Sequence, residues 1–141
     1  MNIKDIENQI IEEFEQFEDW MERYNYIIEL GKGLALIDEA YKTKSFLISG
    51  CQSQLWLHAK FQDGKVIFTA DSDAIITKGI VALLIRVLSY QTPDDVLNTD
   101  LTFINTIGLK EHLSPTRSNG LVSMIKQMKL YALAFKTKKS D

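Results

Sequence analysis

"QLWLHAKFQDGKVIFTAD" (residues 54–71) decides the fold. Its first half alternates, with Leu55, Leu57, Ala59 and Phe61 on one face and Gln54, Trp56, His58 and Lys60 on the other, the two-residue period of a half-buried strand. Asp63-Gly64 then supplies the central pair of a type I′ turn, so "KVIFTAD" folds straight back as an antiparallel partner. The turn also sets the register. Gln62 pairs with Lys65, and counting outward puts Trp56 opposite Asp71. The stretch around Cys51 thereby arrives at the same end of the sheet as Asp71-Ser72-Asp73.

Upstream, "SFLISG" (45–50) reads as a short strand ending at Gly50, which makes a small antiparallel sheet of about three strands. Residues 74–88, "AIITKGIVALLIRVL", are apolar around most of a helix, as a central helix buried against the sheet must be. Asp71, Ser72 and Asp73 stand where residues that cap it belong. Ahead of the sheet, Ile3, Ile6, Ile10, Phe14 and Phe17 recur at helical spacing, and Asp19 caps a second helix whose inward face is Trp20, Tyr24, Ile27 and Ile28. The glycines of "LGKGL" (30–34) stop it, and residues 34–44 show no period and read as a loop. After the central helix come a short helix at "QTPDDVL" (91–97) and another over Leu101–Ile107 ended by Gly108. Last is a long helix with Leu121, Met124, Ile125, Met128, Tyr131 and Phe135 facing inward. This order of elements is an α+β fold, a small sheet packed against several helices, in one domain over 1–136 with a disordered tail at 137–141.

Composition narrows the function. At 141 residues and 45% hydrophobic the chain has room for one real core. A net charge of −3 argues against a phosphate-binding surface, so nucleic acid is not an expected partner. Residues 1–22 hold eight acids against one lysine, read as a solvated helix face. The start "MNIKDIENQIIEEF" lacks the basic beginning and apolar core of a signal peptide, and no apolar run is long enough to cross a bilayer, so a cytoplasmic protein and no membrane partner are expected.

The chemistry centres on one thiol. Cys51 sits between Gly50 and a polar run rather than inside an apolar stretch, a poor place for a cysteine used only for packing. One cysteine and two histidines, His58 and His112, fall short of a metal site, which needs three or four ligands in paired short spacings. A stand-alone thiol enzyme would need a base or cation to make thiolate, since a free thiol of pKa near ~8.5 is mostly protonated at neutral pH. The neighbourhood inferred from the register holds opposing effects: a helix N-terminus favours thiolate, whereas Asp71 and Asp73 repel it. Arg117 in "SPTRSNG" (114–120) works against the macrodipole in the first turn of its helix; it is either an exposed surface arginine or selected for an anion.

Four segments resemble the SufE/CsdE family of cysteine-desulfurase-associated sulfur acceptors, in the expected order: "WMERYNYIIELGKGL" (20–34), "GCQSQLWL" (50–57), "ADSDAIITKGIVALL" (70–84) and "HLSPTRSNGLVSMI" (112–125). The resemblance implies an IscU-like α+β fold. It implies that Cys51 accepts sulfane sulfur as a persulfide from a cysteine desulfurase of the SufS/CsdA type, stimulates that enzyme, and delivers the sulfur to an iron-sulfur scaffold complex. The chain would be an accessory protein rather than an enzyme, with no cofactor of its own, the pyridoxal phosphate (PLP) belonging to the desulfurase. Carried over by motif, Arg117 orients sulfur or contacts the desulfurase, Asp73 controls how the cysteine loop rests or docks, and Gly50, Gln52, Ser53, Gln54 and Trp56 shape that loop. The segment "GLALIDEAYKTKSF" (33–46) departs from the family pattern, lacking its proline and carrying Tyr41-Lys42 where arginine is common. The two other readings are a stand-alone thiol enzyme and an interaction module with an incidental thiol.

Overall fold

The computed structural model describes residues 1–51 and 53–139. Asp63 and Gly64 both take left-handed backbone, φ 54° and 78°, and close a hairpin of β1 (Leu55–Gln62) and β2 (Lys65–Ser72). Gln62 pairs with Lys65 and Trp56 with Asp71. The alternation read from the sequence appears as burial, with Leu55, Leu57 and Ala59 inside, Trp56 and His58 half-buried and Lys60 exposed.

The expected third strand reduces to a single bridge between Leu47 and Trp56, backed by Ile48 N–H donating to the Leu55 carbonyl at 2.9 Å. The cause is local, because Lys44–Phe46 closes a 3-10 turn and leaves only two residues in pairing range. Among the described residues the sheet therefore has two strands. Loop segments satisfy the outer edge of β2: Ala70 exchanges hydrogen bonds with Ala35 and Ile37, and Val66 with Tyr90 and Gln91, which removes an open edge that would otherwise template aggregation.

Helix α1 (Ile3–Glu15) begins at an Asn2 cap and α2 (Trp20–Gly31) at the expected Asp19, whose carboxylate accepts the Glu22 N–H at 2.8 Å. The acid-rich start is not wholly a solvated face. Glu7 is turned inward, 4% exposed, and accepts the Phe103 N–H at 3.0 Å. Helix α3 (Ile75–Leu88) is the centre of the molecule, buried around most of its circumference as its composition requires. It lies close against α2 because glycines meet at the crossing: a β-carbon on Gly79 would come within 2.1 Å of the Ile27 carbonyl oxygen.

The remaining helices are α4 (Pro93–Asn98), capped by Thr92, then α5 (Phe103–Thr106), α6 (Leu109–His112) and α7 (Pro115–Lys139). Leu101 is left-handed, φ 51°, so the helix expected from that residue starts only at Phe103. Along α7, Leu121, Met124, Met128 and Ala132 are buried against the core. The helix runs through Lys139, with Thr137 Oγ1 donating to the Leu133 carbonyl, so residues 137–139 of the expected disordered tail are helical; residues 140–141 lie outside the described ones.

Candidate functional site

Cys51 is held by elements far apart in the chain. Just before it, Gly50 has φ 87°, which selects glycine, and a β-carbon there would stand 2.7 Å from Ser123 Oγ of α7, which would have to rotate away. Just after it, the Gln54 N–H donates to Asp73 Oδ1 at 3.0 Å, the Gln54 carbonyl accepts from Ser72 Oγ at 2.6 Å, and the Ser53 and Thr77 hydroxyls pair at 3.1 Å. The Cys51 loop is thus pinned to the turn ahead of α3. Asp73 serves the cysteine loop rather than capping the helix: the position before α3 is Ala74, with no side-chain cap. Gln52 lies outside the described residues.

The thiol is half-buried and its Sγ lies 3.9 Å from the Gly120 carbonyl oxygen. A β-carbon at position 120 would rest in van der Waals contact with the sulfur, at 3.4 Å, so α7 packs directly against the thiol at this glycine. Cys51, Ser53, Thr77, Arg117, Gly120 and Met124 line one cavity of roughly 250 Å³. The sequence reading supplied Cys51, Ser53 and Arg117 of this group. It missed Thr77, Gly120 and Ser123, although a glycine at 120 in an otherwise helical pattern was a signal of close approach.

Trp56 faces elsewhere. Its ring lies under Lys42 Nζ at 5.0 Å, and Lys42 also binds Asp71 at 2.9 Å. Burial opposes ionisation of Asp71, but the Lys42 hydrogen bond and the Ser72 N–H outweigh it and hold the carboxyl below its usual range. Tyr41-Lys42, where the chain departs from the family pattern, anchors the segment before β1 to β2.

Burial pushes the Cys51 thiol above its usual pKa. Desolvation, rather than the helix N-terminus or the two aspartates, is what moves it, and it favours the neutral thiol. Neither histidine lines the cavity. His58 stacks on Tyr41 with ring centroids 3.9 Å apart, and burial, with Lys60 second, lowers its pKa. His112 stacks on Trp20 at 4.5 Å and donates from Nδ1 to the Gly108 carbonyl at 2.8 Å. Among the described residues no group of three His, Cys, Asp or Glu could hold a metal ion, and no helix is long and apolar enough to cross a membrane.

Fold and cavity together describe an α+β domain with one loop-borne thiol, an arginine on the cavity wall, and no carboxylate or imidazole among the described residues that line it. The chain belongs to the SufE family: residues 8–132 match the model described as SufE, Fe-S metabolism associated domain. An uncharacterised SufE-like protein of Rhizobium meliloti is 40% identical over 86% of this chain and 91% of its own length. A second, from Synechocystis, is 38% identical over 90% and 80% respectively. SufE-like protein 1, chloroplastic/mitochondrial, of Arabidopsis thaliana is 35% identical over 92% of this chain, which spans only 35% of that longer protein. A solution structure of a hypothetical protein from Thermus thermophilus shares the fold, with TM-score 0.78 at 22% identity over 94% of this chain and 96% of that one. Membership in this family associates the chain with iron-sulfur metabolism.

Proposed function

We propose that the protein is a sulfur acceptor for a PLP-dependent cysteine desulfurase, which it stimulates, and that Cys51 carries the sulfur as a persulfide to an iron-sulfur scaffold. The observation that carries this reading is the single thiol on a glycine-started loop, in a cavity with room beyond its own sulfur and no carboxylate or imidazole among the described residues that line it. A thiol enzyme working alone needs its own activating group, whereas an acceptor meets sulfur that the donor has already activated.

The transfer balances without an external oxidant. Cys51 loses its proton and the thiolate attacks the terminal sulfur of the donor's Cys–S–SH. The donor's S–S bond breaks, its cysteine sulfur leaves with the electron pair and takes up a proton, and Cys51–S–SH forms. The cofactor stays with the donor. Because burial keeps the resting thiol neutral, docking must bring the loop out or supply the base. Gly50 gives the loop freedom to move, and Asp73 and Thr77 hold it until then.

Incubation with a desulfurase and sulfur-labelled cysteine tests the reading. Label is expected on Cys51, removable by reductant and missing in Cys51→Ser. Label retained by Cys51→Ser overturns it, as does stimulation of the desulfurase that survives the substitution undiminished.

A further inference from the structure

The segments "WMERY" (20–24) and "HLSPTR" (112–117) lie more than eighty residues apart, yet they meet at two points. Trp20 stacks nearly parallel on His112, interplanar angle 12°. One turn further along α2, Tyr24 Oη accepts from Arg117 Nη1 at 3.4 Å, and the Trp20 and Tyr24 rings meet edge to face at 6.5 Å. His112, through Nδ1 on the Gly108 carbonyl, closes the brace at its far end.

This brace ends on a cation that helical stability does not select. Arg117 lies in the first turn of α7, where the macrodipole is unfavourable to positive charge. Among the described residues it enters no salt bridge. Arg86 makes the contrast: its guanidinium grips the Glu13 carboxylate and the charge is spent within the fold. Arg117 is exposed, and its one side-chain hydrogen bond among the described residues is to a phenol oxygen rather than a carboxylate, so its charge stays unpaired at the wall of the Cys51 cavity.

We propose that Tyr24 is a positioning residue, holding the Arg117 guanidinium at the Cys51 cavity so that its charge meets an anionic sulfur or an anionic reagent approaching it. This extends the reading above that Cys51 handles sulfur, and Tyr24 itself touches neither the sulfur nor the donor.

The test reads the charge at Cys51 without any partner. Alkylation rates with iodoacetate, an anion, and iodoacetamide, its neutral counterpart, are compared in the wild type, Tyr24→Phe, Arg117→Ala and the double variant, with Tm measured for each. Tyr24→Phe is expected to lower the iodoacetate-to-iodoacetamide ratio about threefold with Tm little changed, the scale of one modest hydrogen bond. Arg117→Ala lowers it further, and adding Tyr24→Phe to Arg117→Ala changes it no more. An unchanged ratio in Tyr24→Phe overturns the proposal, as does a double variant whose loss is the product of the two single losses. Single-turnover sulfur uptake from a desulfurase should fall by a similar factor in Tyr24→Phe. A wild type that takes up no sulfur overturns the proposed function, while the alkylation ratio still reads the Tyr24–Arg117 pair.

Discussion

Gly50 stands so close to Ser123 that a β-carbon on it would lie 2.7 Å from the serine oxygen, and its φ of 87° is one that other residues resist. The resting place of the sulfur-bearing loop therefore depends on an absent side chain. In Gly50→Ala the backbone strain alone costs about 1–2 kcal/mol, and it falls on the loop rather than the core. Cys51 should alkylate several times faster than in the wild type, with Tm lowered by a few degrees. Adding Ser123→Ala relieves the contact but not the backbone strain, so it should restore only part of the slow rate.

The neutral resting thiol gives a pH dependence with a definite sign. Burial raises the folded-state pKa of Cys51, so the folded protein holds that proton to higher pH than the unfolded chain. The stability so contributed is complete below the unfolded value of about 8.5 and is lost as pH rises through the folded value. Denaturant titrations at pH 7 and pH 10 should show a smaller alkaline loss for Cys51→Ala than for the wild type. Iodoacetamide labelling of the wild type should still be climbing where a small free thiol has levelled off.

Gly79 tests the helix crossing on which the site is built. Alanine is the better helix former by about 1 kcal/mol, which argued alone would stabilise α3. Its β-carbon would meet the Ile27 carbonyl oxygen at 2.1 Å, and backbone cannot swing aside as a side-chain end can. The crossing must open, so Gly79→Ala should lose about 1–3 kcal/mol of unfolding free energy, read from the denaturant midpoint.

The Glu13–Arg86 pair sets part of the acid limb. The hydrogen bond from Arg86 holds the Glu13 carboxyl below its usual pKa, against burial, and Tyr26 adds a second hydrogen bond at 2.5 Å. A lowered carboxyl pKa stabilises the fold above the unfolded value of about 4.3, and that share is lost as pH falls through the folded value. Glu13→Gln should therefore lower Tm at pH 7 more than at pH 3. The Tyr26 phenol, pushed up to about 12 by burial and then by Glu13, should in the wild type ionise well above the ordinary tyrosine range in an ultraviolet pH titration.

Local pattern carried the hairpin. The period of two through Leu55, Leu57 and Ala59 and the Asp-Gly turn were enough to name register pairs, because strand pairing across a two-residue loop leaves no slack. It failed at "SFLISG", where a 3-10 turn competes with extension and nothing in a six-residue window decides between them. At Asp73 local pattern offered a cap for α3 and only the family motif offered a role at the cysteine loop; the carboxylate turns to the Gln54 N–H across the sheet end. Glu7 was hidden for a related reason: its partner is a backbone N–H ninety-six residues away.

A sheet-and-helix domain, a lone thiol out of place as packing, and the sheet end at which that thiol sits are all legible along the chain. Those follow from side-chain periodicity, turn chemistry and the count of sulfur ligands, all of which are local or additive. It took the packed fold to set the Gly120 carbonyl against the thiol and Ser123 beside Gly50, to bury the thiol enough to raise its pKa, and to bring Tyr24 to Arg117. Each of these depends on where α7 settles against α2 and the loop before β1, and such packing between distant elements leaves no period in the chain.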